Sequence, residues 1–354
     1  MVQRISVGLD STVHIGQGLL ARAGEYLTSP SGRFVLFSSP NAAAAAESVR
    51  AALSGRILLD ETLDDREEAK TLALVERLAD AALRAGVRRD DAVVAVGGGV
   101  TSDVAGFAAA ILLRGLAWYA VPTTTGAMAD AAIGGKTGVD HAAGKNLLGA
   151  FHPPRAILID PCAAAGLPER DYRAGLVEAF KAAWIADAAL AESIERNAPA
   201  ILARDEAALL ACLAGAVRVK ASIVASDPRE AGRRKLLNFG HTLGHAFEAA
   251  GGFRELKHGE AVAWGIAAAL EISVWRAALP LAEAERVRRT LAILGPFPQA
   301  QRDPAVLAPF LARDKKATAR GIAGVVLEAV GRARVEDAVA EGEWLKAAGI
   351  MSLS

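Results

Sequence analysis

The chain has 354 residues, of which 52% are hydrophobic and 23% are charged. This length exceeds one ordinary compact core and predicts two domains, and the composition excludes a disordered or fibrous protein. Lysine plus arginine and aspartate plus glutamate each number 40, so the formal net charge is zero. This balance argues against nucleic acid or an anionic membrane as a partner, so any anion site must be local.

The cysteine content and the apolar runs of the sequence indicate the cellular compartment of the protein. Cys162 and Cys212 are the only cysteines, which argues against a disulfide scaffold and favours a reducing cytoplasm. The N-terminal residues lack the apolar stretch of a signal peptide. The longest apolar run, 104–122, carries Arg114 in its middle, so we expect a buried helix and a strand rather than a membrane span.

The first 160 residues alternate strand-like runs with helical patterns. Five apolar runs have strand length: RISVGL, RFVLFSS, AVVAV, AWYAV and AILID. Between the second and third of these, residues 67–85 have a helical pattern that Gly86 closes. Such alternation predicts a mostly parallel sheet covered by helices.

After Asp160 the strand signals nearly cease. Residues 321–337, GIAGVVLEAVGRARVED, predict a short hairpin. Helical patterns cover 173–188, 205–226, 236–250, 258–278 and 281–294. We place the boundary within 160–168, which gives an α/β domain over 1–162 and a helical domain over 163–354.

A glycine loop joins a strand to a helix in AVVAVGGGVTSDVAGF. Three glycines let the backbone approach a phosphate, and the helix N-terminus offers unpaired N–H groups. Asp103 in the first helical turn could cap the helix or bind a hydroxyl. A purely structural turn is the alternative.

The next segment, VPTTTGAMADAAIGGKTGVDHAAGKNLLGAFHPP, contains two lysines in nearly uncharged surroundings. Lys136 and Lys145 lie among Gly, Ala and Thr, which is typical of anion ligands, and an ordinary surface loop is the alternative. Thr123 and Thr124 end a strand, where ligands bind in open α/β sheets.

Three of the six histidines fall within 241–258. His241 and His245 are four apart and would share one helix face, and His258 begins the next helical pattern. Converging histidines suggest a divalent metal, usually zinc. The carboxylate candidates are Glu178, Glu248 and Glu260. Spacing leaves open which two histidines are ligands and which is the acid/base.

Several cations accompany this window. They suggest a substrate that carries both phosphate and carboxylate groups. The residues are Lys220, Arg234, Lys315 and Lys316, with Asn238 beside them.

At this point the motifs resemble the 3-dehydroquinate synthase family of the sugar-phosphate cyclases. The match covers about residues 60–320 and includes GGGVTSDVAGF, GGKTGVDHAAGKNLLGAFHPP, LPERDYRAGLVEAFK, RRKLLNFGHTLGHAFE, HGEAVAWG and DKK. The resemblance implies a Rossmann-like dinucleotide-binding α/β domain followed by an all-α metal-binding domain, usually in a cytoplasmic homodimer.

The resemblance also implies roles for individual residues. The implied zinc (or cobalt) ligands are Glu178, His241 and His258, and the implied acid/base is His245. The implied NAD contacts are Glu67, Lys70, Gly98, Gly99, Val100, Asp103, Thr123 and Thr124, with Asp130 and Lys145 at the junction with the substrate. The implied substrate contacts are Lys136, Asn146, Asn238 and Lys316 for phosphate, Lys181, Lys220 and Arg234 for carboxylate and hydroxyls, and Arg114 from the neighbouring subunit.

The implied reaction converts 3-deoxy-D-arabino-heptulosonate 7-phosphate to 3-dehydroquinate. It combines transient oxidation by NAD, elimination of phosphate, re-reduction and aldol closure. The implied partner is this small phosphorylated sugar acid, with no nucleic acid and no membrane.

Some positions depart from the family pattern. The family usually has an acidic residue after its second strand to hold the adenosine ribose, and this chain has Ser39. Arg66 replaces a glycine. Thr125 and Gly126 replace bulky residues, and Ala131 and Ala132 replace serines. These changes affect expected cofactor contacts and spare the implied catalytic set.

Three alternatives stay open from the sequence. The nearest is a sister cyclase, namely aminodehydroquinate synthase or a sugar-7-phosphate or glucose-6-phosphate cyclase. Lys220 and Arg234 argue only against the last two, whose substrates offer them no carboxylate, so the amino variant stays open. The second is a metal-dependent polyol dehydrogenase, which tends to carry a lysine where this chain has Gly106. The third is a non-catalytic binding protein of the same fold.

Overall fold

A computed structural model describes residues 2–8, 10–142, 144–312, 317–318 and 321–353. The predicted substrate contact Lys316, like Lys315, lies outside these described residues. The chain divides into two compact units. The first comprises Met1–Leu167 and Lys220–Pro228, and the second comprises Pro168–Val219 and Arg229–Ser354. The domain division after Cys162 stays a prediction.

The described residues of the first unit form nine strands. They are β1 (Gln3–Gly8), β2 (Ser11–Ile15), β3 (Phe34–Ser38), β4 (Ile57–Thr62), β5 (Ala92–Gly97), β6 (Ala117–Pro122), β7 (Lys136–His141), β8 (Gly144–Phe151) and β9 (Ala156–Ile159). Seven form one sheet in the order β1-β2-β9-β6-β5-β3-β4, and β7 and β8 form a separate antiparallel pair. Only β1 and β2 pair antiparallel in the large sheet, which confirms the predicted mostly parallel α/β arrangement.

The burial of each strand explains whether the strand could be predicted from the sequence. Strands β3 and β5 are buried along their whole length and are continuous apolar runs, as is usual for central parallel strands. One face of the sheet packs on helix α1 (Ala43–Ala52), where Leu36, Val94 and Val121 meet Ala46 and Val49. Strands β2, β4, β7 and β8 were not predicted, because polar residues or glycines interrupt their apolar character.

The other helices of the first unit are α2 (Leu72–Arg84) and α3 (Gly99–Ile111). The helix predicted over 67–85 is interrupted, because the Thr71 hydroxyl accepts a hydrogen bond from Leu74 N at 3.3 Å and caps α2. Gly86 follows the helix at φ = +79°, as predicted. The apolar run 104–122 is a helix followed by a strand, also as predicted.

The second unit is mainly helical. Its helices are α4 (Glu169–Ala186), α5 (Ala188–Leu202), the first part of α6 (Glu206–Ser226), α7 (His241–Ala250), α8 (His258–Trp275), α9 (Leu281–Leu294), α10 (Pro304–Ala312) and α11 (Glu341–Ile350). The predicted hairpin is confirmed as β11 (Gly321–Ala329) and β12 (Arg332–Val339), and β10 (Ala317–Thr318) adds a third strand. Helices α5, α10 and α11 were not predicted. Of these, α5 and α10 each contain an internal proline that obscures a helical pattern.

Among the described helices, α6 alone has the length and apolar character that a membrane span requires. Most of its length is buried inside the protein, which is how a core helix of a globular protein meets the same criteria.

The helix predicted over 236–250 is broken just before His241. A 3₁₀ turn over Arg233–Asn238 comes first, and Gly240 then adopts φ = +80°. A Cβ on Gly240 would lie 2.7 Å from Val262 O, and one on Gly265 would lie 1.8 Å from Gly240 O. The two glycines therefore let the start of α7 approach α8 closely, which brings His241 towards α8.

Candidate functional site

In the first unit, the glycine loop lies where the order of the strands reverses. From β3 the chain moves outward to β4 and returns to β5 on the other side of β3. Ligands of open α/β sheets bind at such a switch point, outside the carboxyl ends of the strands. A Cβ on Gly97 would lie 2.4 Å from Thr101 Oγ1 and 2.9 Å from Ser39 Cβ. Gly97 is therefore closely packed against Thr101 and Ser39, and α3 begins two residues later with its unpaired N–H groups.

The predicted cofactor residues of this loop lie around that crevice. Gly98 precedes α3, and a Cβ on it would meet Thr124 Cγ2 at 3.2 Å. Thr123 N donates to Gly97 O at 2.9 Å. Val100 is half-buried in the first turn of α3, after Gly99. The structure therefore brings together the glycine loop and the threonines predicted from separate parts of the sequence.

A lysine-centred cluster adjoins the loop. Lys70 Nζ lies 2.5 Å from Asp103 Oδ2 and 2.5 Å from Asn146 Oδ1. Burial alone would lower the pKa of Lys70, but Asp103 and other nearby carboxylates outweigh it and raise that pKa. Lys70 therefore stays charged at neutral pH. Its contacts hold Asp103, predicted to bind a hydroxyl, in a defined position.

The β7–β8 hairpin supplies the other end of this cluster. Asn146 has φ = +54°, and its backbone N donates to Asp140 Oδ1 at 2.8 Å. Asp140 was not predicted, since nothing local distinguishes it from a surface carboxylate. Lys145 Nζ pairs with Glu67 Oε1 at 3.0 Å. Lys136 begins β7 with an exposed side chain.

Lys220 belongs to the first unit, although it follows the predicted boundary by many residues. Its Nζ lies 2.5 Å from Asp130 Oδ1 and donates to Asp130 O at 2.6 Å. The lysine is buried. Asp130 lies in a short π-helical turn after β6. The structure therefore pairs two residues that the sequence placed 90 positions apart.

In the second unit, a carboxylate and two imidazoles converge. Glu178 comes from the middle of α4, His241 starts α7 and His258 starts α8. Glu178 Oε1 lies 3.9 Å from His241 Nε2 and 3.7 Å from His258 Nε2. Ligand atoms of all three lie within 4.8 Å of one another, so the set could hold a metal ion.

The Glu178 carboxylate has the character of a metal ligand. It is buried, and within the described residues Oε1 accepts no hydrogen bond. Lys181 Nζ, one helical turn on and also buried, lies against Oε2. A buried carboxylate oxygen that accepts no hydrogen bond is costly, and a cation at Oε1 would offset that cost.

In His241 and His258, the ring nitrogen Nδ1, which does not face Glu178, has a hydrogen-bond acceptor. His241 Nδ1 lies 3.2 Å from Phe239 O, and His258 Nδ1 lies 3.2 Å from Glu248 Oε2. A carbonyl oxygen only accepts, so Nδ1 of His241 carries the proton and Nε2 keeps its lone pair. This tautomer is the one that a zinc-binding Nε2 requires.

His245 joins the same group of rings. Its ring centroid lies 5.3 Å from that of His241 and 6.2 Å from that of His258. A second set that could hold a metal, His245, Glu248 and His258, shares one histidine with the first. The predicted convergence of the three histidines is therefore observed.

The remaining predicted residues lie in varied surroundings. Arg234 is buried in the 3₁₀ turn before α7, and Asn238 Nδ2 donates to Glu230 Oε1 at 2.7 Å. Glu230 was not predicted, because one glutamate in a charged segment carries no signal. Arg114, in the first unit, is exposed and has φ = +69°.

Comparisons with known proteins agree with this geometry. The family models for the 3-dehydroquinate synthase N-terminal and C-terminal regions match residues 61–174 and 175–317. The 3-dehydroquinate synthase of Caulobacter vibrioides is 40% identical over 351 residues, covering 95% of this chain and 95% of that protein.

Two solved structures are similar to this chain over nearly its whole length. The first is 2-deoxy-scyllo-inosose synthase complexed with carbaglucose-6-phosphate, NAD⁺ and Co²⁺, with a TM-score of 0.85 and 25% identity over 99% of this chain and 100% of that one. The second is 2-epi-5-epi-valiolone synthase from Streptomyces hygroscopicus subsp. jinggangensis 5008 with NAD⁺ and Zn²⁺ bound, with a TM-score of 0.84 and 30% identity over 95% and 94% of the two chains. Together with the two family models, which span most of the sequence, these similarities identify the chain as a member of the 3-dehydroquinate synthase family.

Proposed function

We propose that the protein is a 3-dehydroquinate synthase, a carbon–oxygen lyase. It converts 3-deoxy-D-arabino-heptulosonate 7-phosphate to 3-dehydroquinate and phosphate. The observation that carries this proposal is the buried carboxylate of Glu178 facing Nε2 of His241 and His258, in a chain of this family. Two imidazoles and one carboxylate with an open position are typical of a catalytic zinc site.

We assign the metal, Zn²⁺ or Co²⁺, to Glu178, His241 and His258. The second possible set is less suited, because its carboxylate, Glu248, already lies within hydrogen-bonding distance of His258 Nδ1. Glu178 Oε1 has no such donor among the described residues, and Lys181 occupies only Oε2. NAD would be held by the glycine loop and the other residues assigned to it above. When bound, the metal polarises a substrate oxygen and NAD⁺ takes up and returns a hydride.

The side chains of this chain bind the substrate and move protons. We assign His245 to proton transfer near the leaving phosphate, because its exposed imidazole adjoins the metal set without being needed as a ligand. Lys136 and Asn146 in the first unit, and Asn238 in the second, are assigned to the phosphate. Lys181, Lys220 and Arg234 are assigned to the carboxylate and hydroxyls. Lys316 completes the phosphate set by resemblance alone.

The cellular setting is part of the same proposal. We place the enzyme in the cytoplasm as a homodimer, without nucleic-acid or membrane partners. Arg114 is exposed and has a left-handed backbone angle. We assign Arg114 to the phosphate site of the neighbouring subunit.

The test is turnover of the purified protein with three substrates. We expect phosphate release from the heptulosonate phosphate, no net NADH accumulation, and little release from its amino analogue or from glucose 6-phosphate. Faster turnover of the amino analogue would identify aminodehydroquinate synthase instead, and steady NADH accumulation would identify a dehydrogenase. His245→Ala should lower turnover by roughly 10²- to 10⁴-fold while metal content is unchanged.

A further inference from the structure

Ser39 occupies the position from which an acidic residue would reach the nucleotide. It directly follows β3 at the switch point, and its backbone N donates to Val96 O at 2.9 Å. Its Cβ lies 2.9 Å from where a Cβ on Gly97 would be. The residue is buried against the glycine loop. The crevice thus has a hydroxyl where dinucleotide sites usually have a carboxylate.

The carboxylate of Asp65, in the loop after β4, lies beside Ser39. The Ser39 hydroxyl donates a short hydrogen bond to Asp65 Oδ2. Asn41 Nδ2 lies 3.2 Å from Oδ1 and 3.1 Å from Oδ2 of the same carboxylate. Two side chains that follow β3 therefore anchor Asp65, which is half-buried.

The sheet explains how Asp65 arrives there. Strands β3 and β4 are parallel neighbours, with Ser38 opposite Thr62, and Leu63 N donates to Ser38 O at 2.9 Å. The loops after both strands therefore start at the same edge of the sheet. Asp65 lies three residues beyond Thr62, within reach of Ser39.

Within the described residues, Asp65 forms no ion pair with a lysine, arginine or histidine, and its side-chain contacts are those with Ser39 and Asn41. Arg66, the adjacent residue, instead pairs with Asp64 at 2.5 Å, and this guanidinium lowers the pKa of Asp64 to about 2. A site for the 2′-phosphate of NADP⁺ needs a cation at this place, and the nearby cation is already paired.

We propose that Asp65 supplies the carboxylate that binds the adenosine ribose of NAD⁺, in place of the acidic residue that Ser39 replaces, and that it excludes NADP⁺. This inference rests on the proposed function, because it presumes that the crevice binds NAD. An ionised carboxylate only accepts, with about four lone-pair sites, so acceptor sites remain beside the Ser39 and Asn41 donors. Ribose hydroxyls supply donors for them, whereas a 2′-phosphate brings like charge against the carboxylate.

The test measures dissociation constants of NAD⁺ and NADP⁺ by calorimetry on the intact protein. Asp65→Asn keeps the shape and removes the charge. We expect it to weaken NAD⁺ binding roughly 10- to 100-fold, as for loss of a charged hydrogen bond, and to reduce the preference over NADP⁺. Asp60→Asn is the matched control, because Asp60 lies on β4 and pairs with Arg50 at 2.5 Å. It should leave both constants unchanged.

A rescue variant distinguishes a binding role from a structural one. Ser39→Asp combined with Asp65→Asn returns the carboxylate to the end of β3, so we expect it to recover most of the NAD⁺ affinity and the preference over NADP⁺. Unchanged NAD⁺ binding by Asp65→Asn, or no recovery in the double variant, would overturn the inference alone. Absence of NAD⁺ binding by the unmodified protein would overturn the proposed function together with it.

Discussion

His258 Nδ1 lies 3.2 Å from Oε2 of the buried Glu248, and this contact fixes which nitrogen the imidazole presents to Glu178. A carboxylate only accepts, so Nδ1 carries the proton and Nε2 keeps its lone pair. Nε2 lies 3.7 Å from Glu178 Oε1. Glu248 therefore orients the ring and increases its basicity, as carboxylate partners of metal-binding histidines do.

Removal of this partner should weaken metal binding. We expect Glu248→Ala to lower Zn²⁺ affinity roughly 10- to 100-fold, and Glu248→Gln, which keeps an accepting oxygen, to lower it less. Competition with a chromophoric chelator measures the affinity. Glu255→Ala removes an exposed carboxylate from the turn between α7 and α8 and serves as the control. Equal affinity in Glu248→Ala and Glu255→Ala would contradict the role of Glu248.

Metal removal should lower thermal stability. Glu178 Oε1 is buried without a hydrogen bond from the described residues, so a bound cation stabilises the folded state. A metal present at 100 times its dissociation constant contributes about 2.7 kcal/mol. A chelator should therefore reduce Tm of the unmodified protein, as followed by calorimetry. His241→Ala should show almost no chelator effect, and an equal reduction in that variant would rule out this site as the source.

The close approach of α7 and α8 predicts a glycine requirement at Gly240. Gly240→Ala combines a left-handed backbone with a Cβ 2.7 Å from Val262 O. We expect a loss of roughly 2–5 kcal/mol in the free energy of unfolding. Gly252 is the control, because it has φ = +60° but no atom within 4 Å of a Cβ. Gly252→Ala should cost only about 1–2 kcal/mol, and equal losses in urea denaturation would argue against the packing effect.

The proposed role of Arg114 predicts complementation between subunits. Arg114→Ala and His245→Ala should each be nearly inactive as pure proteins. In a mixed dimer, one site has both its own His245 and an Arg114 from its partner, so mixing the variants under conditions of subunit exchange should restore up to a quarter of the unmodified activity. Phosphate release measures the recovery. No recovery, in mixtures shown to contain mixed dimers, would show that Arg114 does not act across subunits.

One cysteine should react with a thiol reagent in the folded protein, and the other only after unfolding. Cys162 is exposed, whereas burial raises the pKa of Cys212 to about 12. The thiolate is the reactive form, so a thiol reagent at about pH 8 should modify one cysteine in the folded protein and both in denaturant. Cys162→Ser should abolish the native reaction. Modification of Cys212 without unfolding would contradict its burial.

The order of elements could be predicted where local patterns are strong. The apolar runs of β3 and β5, the glycine loop between β5 and α3, and the hairpin β11–β12 are all evident in the sequence, because each depends on neighbouring residues alone. The structure differs from the prediction where the local sequence signal is ambiguous, as at the prolines within α5 and α10. It also differs at Gly240, where packing against α8 rather than helical periodicity sets the break.

By itself, the sequence determined that His241 and His245 lie four apart and that a glycine loop opens a helix, since spacing along the chain is a local property. Only the tertiary structure decided which imidazole nitrogen faces Glu178, because Phe239 O and Glu248 select it. It likewise joined Asp65 to Ser39 across 26 positions. Such contacts arise when packing brings distant segments to one sheet edge or helix end, which no periodicity in the chain encodes.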